Sequence, residues 1–111
     1  MKKVFISQPM RDKTPEYIEK ERQHLIEVAK KIAKKELKED EVEILQSYNP
    51  EWKNLHPIDC LGKSLQILAQ ADIVIFAKDW EKARGCKIEH DVAVEYGVKY
   101  GKTVIESYSD V

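Results

Sequence analysis

Two hydrophobic rhythms alternate along this chain. Short continuous apolar runs at residues 4–7, 42–45, 72–77 and 103–106 have the length and β-branched content of strands covered on both faces. Between them apolar residues recur at helical spacing. In the first such stretch Ile18, Leu25, Val28, Ala29, Ile32 and Ala33 form one face, and Glu19, Lys20, Glu27, Lys30, Lys31, Lys34 and Lys35 the other. Leu61, Leu65 and Leu68 mark a second helix over residues 58–70, and a third follows Gly85. The punctuation agrees: Pro9 stops the first strand, Thr14 can cap the first helix with Pro15 at its first position, and Gly101 ends the turn after the third. Strand and helix in strict alternation require right-handed crossovers. The expectation is an α/β three-layer sandwich, a four-stranded parallel sheet with helices on both faces, whose order is 2-1-3-4 if it is doubly wound.

A length of 111 residues, 42% of them hydrophobic, suits a single domain spanning residues 1–111. The 19 basic and 20 acidic residues leave a formal charge of -1, which argues against polymeric nucleic acid as a partner. The lysines at 34 and 35 read as ordinary cations near a helix C-terminus. Cys60 and Cys86 have neither metal-site spacing nor the density of a disulfide framework, so a cytoplasmic protein without metal or other cofactor is expected. The apolar run at residues 4–7 is too short for a signal peptide or a membrane span.

A sheet wound in the order 2-1-3-4 has its switch point between the first and third strands, where ligands collect at the carboxyl ends. The outgoing loops there carry Ser7, Gln8, Pro9, Met10, Arg11 and Lys13 on one side, and Asp79, Trp80, Lys82, Arg84 and Gly85 on the other. Such a crevice suits a small ligand with an aromatic base. The Trp80 indole can stack on a base, or plug the sheet edge instead; Arg84 stands before a helix N-terminus that attracts anions, or pairs with Glu81 or Asp79. The connection over residues 46–57 is longer than usual, a frequent mark of function. Gly85, Glu89, Ala93 and Gly97 fall on one helical stripe whose small members permit close approach to the sheet. Glu89, read as a first-turn residue, would feel the helix dipole and be favoured in its ionised form, either as a nucleophile or base or as plain helix design. Cys86 at the helix start has either a lowered thiol pKa or a packing role, and packing is the preferred reading.

Several segments together carry a resemblance. Residues 3–10 (KVFISQPM), 71–76 (ADIVIF), 79–86 (DWEKARGC) and 89–97 (EHDVAVEYG) are similar to the nucleoside 2-deoxyribosyltransferase-like superfamily, and within it to the small DUF4406 branch. The resemblance implies a flavodoxin-like domain in which Glu89 attacks the anomeric carbon of a deoxynucleoside, with base exchange or hydrolysis following. It further implies a substrate pocket around Ser7, Gln8, Pro9, Met10, Arg11, Asp79, Trp80, Arg84 and Gly85. Homo-oligomers with shared pockets are also implied, to which Tyr96, Tyr100 and Tyr108 could offer aromatic surface. Three positions depart from the family pattern: Ser64 stands at the usual acid position, Gln8 where a glycine is common, and Ala83 where a serine often precedes the glycine.

Cleavage of an N-glycosidic bond passes through an oxocarbenium-like state that a carboxylate stabilises and then traps, while a second group protonates the departing base. Asp59, His56, Asp79 and His90 are the candidates for that acid, none singled out by spacing; His24 and His56 read as surface or capping residues. Three expectations stand side by side: a glycosyltransferase or hydrolase acting on a nucleoside or nucleotide through Glu89, a non-catalytic nucleotide-binding or sensing module with the same crevice, and an interaction protein that shares only the fold.

Overall fold

The computed structural model describes residues 1–47 and 49–107. Four parallel strands, β1 (Lys2–Ser7), β2 (Val42–Ile44), β3 (Ile73–Phe76) and β4 (Thr103–Glu106), lie in the order β2-β1-β3-β4. Three helices, α1 (Pro15–Leu37), α2 (Pro57–Leu68) and α3 (Arg84–Tyr96), complete the three layers. In register, Val4 faces Ile44 and Ile73, and Ile73 faces Thr103. The strand ends are pinned by side chains: Asp72 Oδ2 accepts the backbone N–H of Lys3 at 2.9 Å, and Lys102 Nζ donates to the carbonyls of Ala69 (2.8 Å) and Ala71, tying the end of α2 to the start of β4.

The period of two along each strand sorts residues between the faces. Val4, Ile6, Ile73, Ile75 and Ala77 point toward α1 and pack on Leu25, Ile26, Ala29 and Ala33. Phe5, Val74 and Phe76 point the other way, onto Leu68 of α2 and Ala93 of α3. Each fully buried large side chain of this kind contributes about 1.5–3 kcal/mol. The stripe of α1 is wider than the sequence reading. Leu25, Ala29 and Ala33 are buried, joined by Ile26 and by one charged residue, Glu21.

α1 begins as its punctuation indicates: Thr14 Oγ1 accepts the N–H of Tyr17 at 3.1 Å, with Pro15 following. It ends at Lys38, which takes a left-handed conformation with φ 59°. The connection after β2 is not featureless. It contains a 3-10 turn over Pro50–Asn54, capped by the Asn49 side chain, which accepts from the N–H of Glu51 at 2.9 Å. At the far end of α3, Gly97 has no room for a side chain; a Cβ there would lie 2.4 Å from the carbonyl oxygen of Ala93 and 2.8 Å from Lys102 Cδ. Among the described residues no helix is long and apolar enough to cross a membrane.

Candidate functional site

Consecutive residues leave β1 toward opposite faces of the sheet. Ser7 follows Phe5 toward α3, and Gln8 follows Ile6 toward α1. Ser7, 2% exposed, donates its Oγ hydrogen to Glu89 Oε1 at 2.7 Å. Gln8 Nε2 donates to Glu21 Oε1 at 3.0 Å and to the carbonyl of Ile18 at 3.1 Å. Since both partners only accept, the amide orientation is settled by the network.

Glu89 borders a cavity of about 430 Å³ at the carboxyl ends of the strands. Its walls come from Ser7 at the end of β1, Gln8 and Met10 after it, Ser47 and Trp52 after β2, Cys60 and Ser64 on α2, and Gly85 on α3. The volume is in the range of small-molecule sites, and the lining is mainly apolar with a few convergent polar groups. Among the described lining residues Glu89 is the one carboxylic acid. Of the residues expected to bind substrate, Ser7, Gln8, Met10 and Gly85 border this cavity with Glu89. Pro9, Arg11, Asp79 and Arg84 line a second cleft of about 640 Å³ that shares Met10 and Gly85 with the first and also carries Lys13 and Lys82. Asp79 sits there in a left-handed conformation (φ 66°) with its carboxylate 3.5 Å from Lys82 Nζ.

Trp80 lines neither space. Its ring stacks on His90 with centroids 3.8 Å apart at 17°, and both rings lean on Phe76. His90 Nε2 in turn lies 2.5 Å from Glu106 Oε1. This aromatic stack packs against the sheet, in line with the plugging role weighed above. Trp52 is the tryptophan that borders the cavity, and sequence reasoning did not single it out. The signal was the length of the 46–57 connection, whose 3-10 turn carries Trp52 over the site; Cys60 Sγ donates to the Trp52 carbonyl at 3.2 Å and fastens that turn to α2.

One electrostatic expectation, that for Glu89, is corrected, and for Cys86 the preferred packing reading is supported. α3 starts at Arg84, so Glu89 belongs to its second turn, beyond the reach of the exposed N–H groups. Burial in the apolar wall pushes the Glu89 carboxyl above its ordinary range, and hydrogen bonds from Ser7 and Ser64 pull against that without reversing it. Cys86 likewise is not an activated thiol: burial first, and the nearby Glu89 charge, push it up to about 11 against an opposing hydrogen bond from Ser7. It is a small packing residue.

The candidate acids lie elsewhere. His56 caps α2, its Nδ1 accepting the N–H of Ile58 at 3.1 Å; Asp59 is exposed on the first turn of that helix; His90 is held under Trp80. His24, expected at the surface, is half-buried on α1. Ser64 borders the cavity, and its one hydroxyl hydrogen is shared between two acceptors, the Leu61 carbonyl at 2.9 Å and the Glu89 carboxylate. Among the described residues no group of three or more His, Cys, Asp or Glu is placed to hold a metal ion. Compared with known proteins, the chain matches no family model, no curated protein and no solved structure.

Proposed function

We propose that the protein cleaves the N-glycosidic bond of a nucleoside or nucleotide through Glu89, with transfer of the sugar to a second base or to water. The observation that carries this reading is a carboxylate bordering a cavity at the sheet's carboxyl edge, with Ser7 Oγ 2.7 Å from one of its oxygens. A carboxylate so held attacks C1′ of the sugar as the C1′–N bond breaks and its electron pair leaves with the base. The resulting glycosyl ester is opened at C1′ by water or by an incoming base, which frees Glu89 and retains the anomeric configuration. The departing base takes its proton from solvent or from Lys53, which also lines the cavity. Trp52 offers the ring on which a base stacks.

The desolvation of Glu89 has a function in this reading. An apolar wall destabilises the resting carboxylate and strengthens its attraction to the cationic sugar of the transition state. Purified protein incubated with a panel of deoxynucleosides and deoxynucleotides should release free base, and Glu89→Gln should release none. Absence of release by the wild type, or equal release by the variant, refutes the enzymatic reading.

A second reading, a module that binds or senses a nucleotide without turnover, draws on one observation: Ser64, which cannot donate a proton at neutral pH as a carboxylic acid would, stands beside Glu89. Nucleotide titration by calorimetry with heat but no base release would select it.

Supporting a cytoplasmic setting are the two free cysteines, Cys60 and Cys86. Self-association through the α2–α3 side is part of the proposal as well. Tyr96 and Tyr100 are 74% and 76% exposed beside a groove lined by Leu65, Leu68 and Val92. Tyr108 lies outside the described residues. A single monomer peak in light scattering at working concentration counts against a shared site.

A further inference from the structure

Glu21 is the charged member of the otherwise apolar buried stripe of α1, and it is 2% exposed. An acid in that register breaks the helix pattern, four residues before Leu25 and eight before Ala29, where leucine or methionine would extend the core. Its oxygens are committed. Oε1 accepts from Gln8 Nε2 at 3.0 Å and lies 3.9 Å from Lys13 Nζ, while Oε2 accepts from Tyr17 Oη at 3.4 Å.

Gln8 and Lys13 are the two ends of the segment that follows β1. Between them the chain turns through Asp12, at φ 63°, with the N–H of Lys13 donating to the Met10 carbonyl at 3.3 Å. The ladder of β1 with β3 ends where the N–H of Ala77 donates to the Ser7 carbonyl at 2.9 Å. One carboxylate on α1 therefore fastens both ends of the segment that supplies Gln8 and Met10 to the cavity wall. Ser7, the residue before Gln8, faces the other way and donates to Glu89.

We propose that Glu21 is a positioning residue for Glu89: by holding Gln8 on one face of the sheet it keeps the exit of β1, and so Ser7 Oγ, at hydrogen-bonding distance from the Glu89 carboxylate on the other face. The kinetic arm of this proposal rests on the reading of Glu89 as the reacting group; the positioning itself does not.

The groups that face Glu89 are Ser7 from β1, Ser64 from α2 and Cys86 from its own helix, with Lys53 of the 3-10 turn in the wall of the same cavity, and the Cys86 thiol also senses Lys13 and Glu21. A through-space effect of the Glu21 charge must for that reason be separated from its hydrogen bond. Two variants do so. Glu21→Leu removes both the charge and the acceptor for Gln8, whereas Glu21→Gln removes the charge and keeps a carbonyl oxygen in the same place.

The titration of Glu89 is followed by the carbon-13 resonance of its carboxyl group, and base release is followed in parallel. Glu21→Leu should move the Glu89 midpoint upward, because a loosened Ser7 no longer favours the ionised form, and should lower kcat about tenfold with KM within about twofold. Its melting temperature should hold or rise, since an apolar side chain replaces a buried charge. Glu21→Gln should titrate and turn over like the wild type. An unmoved midpoint in Glu21→Leu, or the same displacement in both variants, overturns the proposal. Should Glu21→Leu fail to fold, Gln8→Met cuts the same link from the strand side, and an unmoved midpoint there overturns it equally. Because the resonance reports without turnover, a wild type that releases no base removes the proposed activity and leaves this test standing.

Discussion

Removing the Ser7 hydroxyl is the most direct probe of how Glu89 is held. Ser7→Ala deletes one atom at a site 2% exposed and leaves the backbone pairing of β1 with β3 in place. The lost bond, 2.7 Å to Oε1, is charge-assisted when Glu89 is ionised and worth about 1.5–3 kcal/mol; with the carboxyl protonated a neutral bond of about 0.5–1.5 kcal/mol is lost. The destabilisation therefore depends on pH by about 1–1.5 kcal/mol, the difference between those ranges. Its sign follows from linkage. Without Ser7 the ionised form is less favoured, so the folded variant keeps the Glu89 proton to a higher pH than the folded wild type. Relative to the wild type, the variant loses stability as pH rises between the two folded midpoints, and the gap is constant outside that window. Cys86, pushed up to about 11, stays protonated below pH 9 and adds nothing to the slope. Urea unfolding of both proteins at closely spaced pH values reads the gap, and the Glu89 carboxyl resonance locates the midpoints. A destabilisation independent of pH, or an unmoved midpoint, would refute the claim that this hydroxyl tunes the acid.

Three further outcomes follow from the same geometry. Glu89→Gln should be more stable than the wild type at neutral pH: the folded midpoint is raised by burial, so ionisation penalises the wild type progressively as pH climbs from the ordinary carboxyl range through that midpoint. Equal melting temperatures across pH would contradict it. Trp52→Ala should weaken nucleotide affinity by about tenfold or more, from about 1–3 kcal/mol of lost stacking, whereas Trp80→Ala should leave affinity near wild type and cost about 3 kcal/mol of stability through the broken stack on His90; calorimetry and unfolding together check the pair. Gly97→Ala should destabilise by about 1–3 kcal/mol, because its Cβ meets the Ala93 carbonyl, while Gly62→Ala, in open space on α2, should stabilise by about 0.5–1 kcal/mol; the opposite order in thermal melts would reject the packing argument.

Most of the fold is legible in the sequence because each level points the same way. The four apolar runs and the Thr14-Pro15 start have single physical solutions, and right-handed crossovers narrow the strand order to a few, of which the doubly wound 2-1-3-4 is the one found. The site was legible in outline. Ser7, Gln8, Met10 and Gly85 border the Glu89 cavity because strand ends and helix starts are fixed once the sheet is. What escaped depends on where side chains point within loops. Trp80 and Trp52 both sit in polar connections, and only the turn geometry decides which ring meets His90 and which overhangs the cavity. The ionisation of Glu89 escaped for a different reason: a shift of one helical turn takes it away from the N–H groups, and the apolar wall that desolvates it is assembled from β1, the 3-10 turn and α2.

Glu21 escaped because pattern reading counts apolar positions and passes over an acid among them, yet that acid is the more informative observation. Among the described residues the two buried charged side chains are the carboxylates of Glu21 and Glu89, on opposite faces at the end of one strand. Neither is easily explained by stability, since a well-packed apolar residue in either place serves the core as well or better. A stretch of two residues, Ser7 and Gln8, donates to both. Rigid hydrogen bonding at a strand end is what an enzyme or a binding site requires of its reacting group, whose position must be held while its charge stays poorly solvated. If the two acids served packing alone, Glu21→Leu would leave the titration of Glu89 untouched; a coupled response across the sheet is the outcome that packing does not produce.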